Sequence, residues 1–244
     1  MNNKKEIVLV VGASSDIGSK IICEIAGEHT KILAADIALK KAEELKGKIK
    51  AELITLKTDL TKEDEINGLI EKVRNYGIPD KIVFLAAPKM SFVRFKDIPW
   101  QAVQNNIDIQ LKAPLLILKA LLPEMAKTGR GKVLFLISSV VLNVPPKALV
   151  NYTTIKYAVL GLMKSLASEY AEKGININAV SPSMTETGFL SDIPEKLVEL
   201  NAQAHPLKRN ATPDDIAPLA AFLLSDASAY ISGINVAVCG GGIF

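Results

Sequence analysis

The sequence predicts a single doubly wound α/β domain with a seven-stranded parallel sheet and helices on both faces. Strand-like and helix-like segments alternate along all 244 residues, with no internal repeat and no long linker. The strand segments are continuous Val, Ile and Leu runs, which is typical of parallel strands that are buried on both faces. The length suits one large domain better than two, so we expect residues 1–244 to form one unit.

The first half of the chain follows the order strand, helix, strand. It begins with a β-branched strand at 7–11, and helical spacing of apolar residues follows at 17–26. The same patterns predict a strand at 31–35, a helix at 39–45, a strand at 53–57, a helix at 62–76 and a strand at 81–86.

The second half begins with a long helical stretch at 100–127. We expect Pro114 and Pro123 to kink or end it, because proline donates no backbone hydrogen bond. Thr212 and Pro213 are expected to be the N-cap and the first position of a later helix. The remaining elements are a strand at 132–137, a helix at 152–172, a strand at 175–180, a helix at 213–224 and a strand at 234–238.

Composition and charge argue against several classes of function. The net charge is only +3 and the lysines are scattered, so we expect no nucleic-acid binding. The longest apolar run, 115–122, contains Lys119 and is too short to span a membrane. The first six residues lead into a strand without the apolar core of a signal peptide. We therefore expect a cytoplasmic protein without membrane association.

The cysteines and histidines form no pattern typical of a metal site. His29 and His205 are isolated, so no metal is expected. Cys23 and Cys239 lie in apolar patterns. We interpret them as small buried side chains in a reducing compartment rather than as a disulfide.

Ligands of doubly wound sheets bind at the carboxyl ends of the strands. The loops after the first, fourth, fifth and sixth strands are therefore the expected site. The segment at 183–206 belongs to the longest of these loops and contains a short helical piece at 195–203. A loop of this length within a compact domain usually covers a site, so we expect a substrate lid here.

A glycine-bearing turn, Gly12-Ala13-Ser14-Ser15-Asp16-Ile17-Gly18, follows the first strand and opens the first helix. Small residues there let backbone N–H groups approach a pyrophosphate, and the helix N-terminus adds favourable partial charge. Asp36 ends the second strand, where a carboxylate accepts hydrogen bonds from a ribose diol and repels a 2′-phosphate; this favours NAD over NADP. Asp59 has two open roles, namely accepting from an adenine amine or capping the helix that begins near Thr61.

Tyr152 and Lys156 are four residues apart on a predicted helix, and Ser139 follows an apolar strand. A free tyrosine keeps its proton until about pH 10, but a lysine one turn away places a positive charge on the same face. That charge favours the phenolate, so we expect Lys156 to lower the pKa of Tyr152 toward working pH. The Ser139 hydroxyl can hold the oxygen of a reacting group. Taken alone, the tyrosine and lysine are also explained as an ordinary amphipathic helix pair.

Together these motifs resemble the short-chain dehydrogenase/reductase family of the Tyr-x-x-x-Lys type. The resemblance rests on the glycine turn, Asp36, Asp59, the Ile-Ser-Ser that ends at Ser139, Tyr-Thr-Thr-Ile-Lys at 152–156, Ile-Asn-Ala-Val-Ser-Pro at 177–182, Thr187 and the segment 225–241. It covers almost the whole chain. It implies a Rossmann fold and an oxidoreductase that uses a nicotinamide cofactor.

The resemblance also implies roles for individual residues. Tyr152 would transfer a proton to or from the substrate oxygen, Lys156 would lower its pKa and bond the nicotinamide ribose, and Ser139 would position the carbonyl or alcohol. Gln110 aligns with a helix asparagine that holds a water beside the lysine. The implied cofactor-binding residues are Gly12, Ser14, Ser15, Asp16, Ile17, Gly18, Asp36, Asp59, Leu60, Ala86, Ala87, Tyr152, Lys156, Pro182 and Thr187.

The chain departs from the family pattern at four places. Asp16 replaces the middle glycine of the turn, where its charge is unfavourable near a pyrophosphate unless it points toward backbone donors. Phe84-Leu85-Ala86-Ala87 replaces Asn-Asn-Ala-Gly, and Cys239 replaces the aspartate before the terminal glycines. Gln110 keeps the amide on a longer arm, which is expected to rearrange the proton relay.

The leading hypothesis is an NAD(H)-dependent oxidoreductase that interconverts a secondary alcohol and a ketone by hydride transfer. One alternative is a 3-oxoacyl-carrier-protein reductase that uses NADPH. Arg130 and Lys173 would then form a basic surface for an acidic carrier, although both are also explained as solvated charges. Another alternative is a catalytically impaired homologue that binds a nucleotide as a regulator or structural partner.

Two helical segments, 113–125 and 152–169, carry apolar residues around more than one face, which favours burial against a partner. In the family these helices build a dimer interface, so we expect a homotetramer or homodimer, with residues 240–244 as candidates for a second interface. The substrate is expected to be a small alcohol or ketone. The residues expected to line its apolar pocket are Met90, Phe92, Val141, Leu142, Val144, Met184, Phe189 and Leu190.

Overall fold

Seven parallel strands form one sheet in the order β3-β2-β1-β4-β5-β6-β7. The structure is a computed structural model that describes residues 5–243, so Phe244 of the proposed second interface lies outside the described residues. The strands are β1 Glu6–Val11, β2 Thr30–Asp36, β3 Glu52–Lys57, β4 Lys81–Phe84, β5 Gly131–Leu136, β6 Ile175–Pro182 and β7 Asn235–Val238. The predicted fold class is confirmed.

The strand order reverses between β1 and β4. The chain moves outward from β1 to β3 and then returns, so that β4 pairs with β1 through Val11 and Phe84. The loops that follow these two strands leave in opposite directions, which opens a crevice at their carboxyl ends. This is the edge of the sheet where sequence reasoning placed the site.

Helices cover both faces of the sheet. They are α1 Asp16–Ile25, α2 Lys40–Glu43, α3 Glu63–Tyr76, α4 Trp100–Ile107, α5 Ala113–Lys127, α6 Val150–Tyr170, α7 Glu195–Ala204 and α8 Pro213–Leu223. One apolar cluster joins the sheet to α3, α5 and α6 through residues such as Ile66, Ile117 and Val159. The other joins it to α1 and α8 through Ile21 and Ile216. Each such fully buried side chain contributes roughly 1.5–3 kcal/mol.

The long helical stretch predicted at 100–127 is continuous but changes its winding. A π-helical turn at Asp108–Lys112 joins α4 to α5, and the Ala113 N–H donates to the Asp108 carbonyl five residues earlier. Pro114 lies in the first turn of α5, where a missing N–H is tolerated. Pro123 lies inside α5, which continues to Lys127. Of the two expected effects, kinking or ending the helix, Pro123 therefore does not have the second.

Three smaller expectations are corrected. The helix predicted at 39–45 is the single turn Lys40–Glu43, because the chain then enters turns in which Gly47 has a φ of +77°. The strand predicted at 81–86 ends at Phe84, since its neighbour β1 ends at Val11. Cys23 is exposed rather than buried, whereas Cys239 is buried as expected.

The cap predicted for α8 is confirmed. Thr212 is the N-cap, Pro213 is in the first turn, and the Asp215 carboxylate accepts a hydrogen bond from the Thr212 N–H at 2.7 Å. Within residues 5–243, none of the helices combines the length and the apolar character that a membrane crossing requires.

Candidate active site

A cleft of about 820 Å³ runs along the carboxyl edge of the sheet. The loops after β1, β2, β3, β4, β5 and β6 form its walls, and residues of the predicted lid cover one side. Most of the predicted site residues line it, namely Gly12, Ser14, Ser15, Asp16, Ile17, Asp36, Asp59, Leu60, Ala86, Ala87, Ser139, Tyr152, Lys156, Pro182 and Thr187. The exceptions are Gly18 and Gln110.

The turn after β1 is fixed by two glycines and one serine. Gly12 has a φ of +90°, and a Cβ there would lie 2.5 Å from the Ala86 nitrogen, so only glycine fits. Ser15 caps α1, because its hydroxyl accepts from the Gly18 N–H at 3.0 Å and donates to the Gly12 carbonyl at 2.8 Å. A Cβ at Gly18 would lie 2.6 Å from that same carbonyl. Gly18 therefore packs the helix against the turn instead of lining the cleft.

Asp36 stands at the end of β2 with its carboxylate held in place. One oxygen accepts a hydrogen bond from the Ser14 N–H at 2.9 Å, and the other accepts from the Ala38 N–H at 3.1 Å. A carboxylate has about four lone-pair positions, so positions for the hydroxyls of a ribose diol stay open.

Asp16 occupies the place of the family's middle glycine without backbone strain. It is the first residue of α1 and has no positive φ. Its carboxylate pairs with the Lys41 ammonium and accepts a hydrogen bond from the Gly188 N–H of the lid at 2.8 Å. Burial opposes ionisation, but Lys41 and the Gly188 N–H together hold the pKa of Asp16 below its usual value. The charge thus points toward donors, as expected if it is to be tolerated near a pyrophosphate.

The Asp59 side chain does not cap α3, because that helix begins at Glu63 with Lys62 as its N-cap; Asp59 stabilises the turn before it instead. One oxygen accepts hydrogen bonds from both the N–H and the hydroxyl of Thr61, at 3.0 and 2.7 Å. These bonds lower the pKa of Asp59. Asp59 also lines the cleft, so the adenine contact stays a prediction beside this turn-forming role.

Tyr152 and Lys156 lie one turn apart on α6 at the other end of the cleft. The Lys156 nitrogen is 5.5 Å from the centre of the Tyr152 ring and donates to the Leu136 carbonyl at 3.1 Å. Lys156 is only 4% exposed, whereas Tyr152 is partly accessible. The Phe189 ring of the lid lies 6.1 Å from the Tyr152 ring and forms a wall beside it.

Burial controls the protonation of both groups. It raises the pKa of Tyr152 to about 12, although a hydrogen bond with the Ser138 side chain opposes the rise. It lowers the pKa of Lys156 to about 7. The expected lowering of the Tyr152 pKa by Lys156 is therefore wrong for this structure, because the loss of solvation is the largest effect and the Ser138 side chain, not Lys156, opposes it.

Two adjacent serines reach this end of the cleft. Ser139, the predicted residue, lines it together with Ser138. Ser138 is the serine that hydrogen-bonds Tyr152, and its hydroxyl also accepts from the Val140 N–H at 3.4 Å. Sequence reasoning missed Ser138, although the doubled serine of the Ile-Ser-Ser motif was a signal for it.

Gln110 lies behind the cleft, on the π-helical turn. It is 4% exposed, and its amide nitrogen donates to the Asn106 side chain at 2.7 Å. Its amide oxygen has no hydrogen-bond partner among the described residues. Gln110 and Lys156 both line a separate cavity of about 10 Å³, which is close to the smallest space that holds one water. The unpaired oxygen fits a water-mediated contact with the lysine.

The predicted lid at 183–206 contacts three distant parts of the chain. Besides the Asp16 contact, Asp192 pairs with Lys89 at 3.3 Å. His205, expected to be isolated, is bound through both ring nitrogens. Its Nδ1 accepts from the Leu207 N–H at 3.1 Å, and its Nε2 therefore donates to the Cys239 carbonyl at 2.9 Å. No local sequence signal indicates these partners.

The expected apolar pocket is largely present. Met90, Phe92, Val144, Met184, Phe189 and Leu190 line the cleft. Val141 and Leu142 do not line it and pack in the core instead. The end of the cleft far from Tyr152 is formed by the glycine turn, the acidic residue at the end of β2 and small residues after β4. This arrangement fits a dinucleotide. Such a cleft, with a Tyr–Lys pair at its far end, defines a nucleotide-dependent oxidoreductase.

Comparisons with known proteins agree. A family model described as enoyl-(acyl carrier protein) reductase matches residues 12–242. The 3-oxoacyl-(acyl-carrier-protein) reductase FabG of Thermotoga maritima is 32% identical over 99% of each chain. Dehydrogenase/reductase SDR family member 4 of Bos taurus is 28% identical over all of this chain and 88% of its own.

A solved structure of 7α-hydroxysteroid dehydrogenase, complexed with NADH and 7-oxo-glycochenodeoxycholic acid, superposes with a TM-score of 0.89 at 25% identity. The match covers 98% of this chain and 95% of that one. The chain belongs to the short-chain dehydrogenase/reductase family and is an oxidoreductase of that family.

Proposed function

We propose that the protein is an NAD(H)-dependent oxidoreductase that interconverts a secondary alcohol and a ketone. The observation that carries the proposal is the convergence of Tyr152, Lys156 and two serines on one cleft whose other end presents Asp36. The superposed hydroxysteroid dehydrogenase, which was solved in complex with NADH and an oxo-steroid, supports the same reaction class. When bound, the nicotinamide would supply or accept the hydride.

The chain's own residues would handle the proton and the substrate oxygen. With a pKa of about 12, Tyr152 keeps its proton at neutral pH and can donate it to a ketone oxygen. Lys156, with a pKa of about 7, can exchange a proton near neutral pH. Ser138 and Ser139 would orient the oxygen that Tyr152 protonates. Gln110 would connect Lys156 to the water-sized cavity behind it.

Asp36 supports NAD rather than NADP. Its two oxygens are already fixed by backbone N–H groups, so the charge stays in the cleft where a 2′-phosphate would lie. Asp59, Leu60, Ala86 and Ala87 would contact the adenosine half. Pro182 and Thr187, on the lid side, would contact the nicotinamide half.

A 3-oxoacyl-carrier-protein reductase that uses NADPH is the second candidate. The named activity of the Thermotoga maritima relative favours it. Arg130 and Lys173 belong to neighbouring loops, since a Cβ at Gly174 would lie 2.1 Å from the Gly129 carbonyl. Arg130 pairs with Asp80 at 3.0 Å, and Lys173 lies over the Tyr170 ring. Both residues precede strands, so within one chain they lie at the sheet edge opposite the cleft.

We further propose a cytoplasmic homotetramer or homodimer. Trp100, Leu115 and Tyr157 on α4, α5 and α6 are 70%, 44% and 48% exposed. Large side chains at these levels of exposure favour a partner surface formed by α5 and α6, the two helices that the sequence indicated, and extended by Trp100 of α4.

Two measurements test the proposed function. Fluorescence titration with NADH and NADPH should show tighter binding of NADH. Turnover with a panel of cyclic ketones, secondary alcohols and a 3-oxoacyl thioester should show NADH-dependent ketone reduction. Preference for NADPH together with turnover of the thioester would replace the leading candidate with the second one. NADH binding without turnover on the whole panel would favour a catalytically impaired homologue.

A further inference from the structure

Asp16 and Lys41 form an ion pair at the nucleotide end of the cleft. Among the described residues, three lysines line this cleft: Lys41, Lys89 and Lys156. Lys89 pairs with Asp192 of the lid, and Lys156 is buried beside Tyr152. Lys41 is therefore the lysine that a phosphate near Asp36 would meet.

The contacts around Ser14 place Lys41 next to Asp36. The Ser14 N–H donates to the Asp36 carboxylate at 2.9 Å, and the Ser14 hydroxyl accepts from the Ala42 N–H at 3.3 Å. Ala42 directly follows Lys41 on α2, so α2 is fixed against the glycine turn, whose Ser14 also binds Asp36. A cation in this position is suited to a 2′-phosphate on a ribose bound at Asp36.

We propose that Asp16 determines cofactor specificity by holding Lys41 in an ion pair, so that no free cation is available for a 2′-phosphate. The pair is not a free surface contact, because the Gly188 N–H also binds the Asp16 carboxylate at 2.8 Å. Asp16 is 30% exposed in its side chain and Lys41 is 49% exposed, so releasing Lys41 leaves it able to turn into the cleft. Discrimination against NADP then has two sources. One is the negative charge of Asp36, and the other is the ion pair with Asp16 that keeps Lys41 from the 2′-phosphate.

Three substitutions separate the charge of Asp16 from its contact with the lid. Asp16→Asn removes the charge but keeps an acceptor for the Gly188 N–H. Asp16→Gly removes both, and Lys41→Gln in the Asp16→Asn background removes the released cation. Lys40→Gln is the matched control, because Lys40 is adjacent but does not line the cleft.

Isothermal titration calorimetry with adenosine 5′-monophosphate and with adenosine 2′,5′-bisphosphate measures the effect of each substitution on binding without turnover. We expect Asp16→Asn and Asp16→Gly to strengthen binding of the bisphosphate by roughly tenfold and to leave the monophosphate nearly unchanged. The double variant should lose this gain, and Lys40→Gln added to Asp16→Asn should keep it. The ratio of kcat/KM for NADPH to that for NADH should change in the same direction.

An unchanged bisphosphate affinity in both Asp16 variants would overturn the proposal. So would a gain that persists in the double variant, since relief of repulsion by Asp16 would then explain it. The inference rests on the proposed function, because it assumes that Asp36 marks the ribose site. If the wild type binds neither nucleotide, that site assignment fails; if it binds the monophosphate but the variants show no gain, only the role of Asp16 fails.

Discussion

At the end of the cleft where we propose that the nucleotide binds, Asp16, Asp36 and Asp59 each accept a hydrogen bond from a backbone N–H. At the end where we propose that proton transfer occurs, burial favours the neutral forms of both Tyr152 and Lys156. The end with the three aspartates presents carboxylate charges that hydrogen bonds hold in place, which suits recognition of hydroxyl groups and exclusion of phosphate. The end with Tyr152 and Lys156 disfavours the charged form of both side chains, which suits groups that must gain and lose protons. The two ends should therefore respond differently to substitution.

The largest expected effect is at Tyr152. Tyr152→Phe removes the hydroxyl that donates the proton, so kcat should fall by roughly 10²- to 10⁴-fold. Binding of NADH should change little, because the cofactor contacts at Asp36 are untouched. Steady-state kinetics and fluorescence titration measure the two quantities. Tyr76→Phe, at the exposed end of α3 and away from the cleft, is the control and should behave as wild type. Equal losses in kcat and in NADH binding would remove the distinction between the two ends.

Lys156→Met should inactivate the protein and stabilise it. The pKa of about 7 lies below the ordinary 10.5, so the unfolded chain binds more protons between these values. Stability therefore rises with pH across this window, and the destabilisation is complete below about pH 7. Removing the buried amine should raise the free energy of unfolding at pH 6 by on the order of 2 kcal/mol, after the loss of the Leu136 hydrogen bond.

Urea unfolding at pH 6 and pH 9 measures this effect. The gain for Lys156→Met should be smaller at pH 9 than at pH 6, and Lys164→Met, on the same helix, provides the control. A loss of stability at both pH values would show that the lysine is charged and well solvated in the folded protein, and the contrast between the two ends would disappear.

Asp36→Ala tests the nucleotide end directly. It removes charge-assisted hydrogen bonds to the ribose, so NADH should bind about tenfold more weakly. NADPH should lose less or gain, because repulsion of the 2′-phosphate is relieved. Titration with both nucleotides measures the change in preference. An unchanged ratio of the two dissociation constants would show that the ribose lies elsewhere.

Gln110→Leu should have the smallest effect. It removes the unpaired buried amide oxygen but also the hydrogen bond to Asn106, so the two effects should offset and stability should change by less than about 1 kcal/mol. It also removes the polar contact beside Lys156, so kcat should fall by roughly fivefold. Thermal unfolding and the pH profile of kcat measure these effects, with the exposed Gln101→Leu as control. A variant with unchanged kcat and an unchanged pH profile would exclude Gln110 from the proton relay.

The order of strands and helices could be predicted because each element is a local pattern. The glycine turn, Asp36 and the Tyr152–Lys156 spacing are local in the same way. The pKa of Tyr152 could not be predicted, since it depends on residues that bury it from elsewhere in the fold. The partners of Asp16 lie 25 and 172 residues away, and those of His205 include Cys239.

The winding of the helix around Gln110 was also beyond prediction. A π-helical turn depends on which side chain must face the core, and the spacing of apolar residues in a helix does not indicate this. Ser138 was missed because the chain leaves β5 in an irregular segment, where alternation no longer indicates the direction of a side chain. In both cases tertiary contacts decide between local alternatives.

Transfer of deuterium tests the proposed function most directly. The reaction is run with a ketone that is turned over and with NADH in which both hydrogens at C4 of the nicotinamide are replaced by deuterium, and the alcohol is analysed by mass spectrometry. We expect one deuterium on the carbinol carbon with wild type, and at least about 100-fold less alcohol with Tyr152→Phe at unchanged NADH binding. Alcohol without deuterium, or formation at the wild-type rate by Tyr152→Phe, would contradict the proposed roles of the cofactor and of Tyr152.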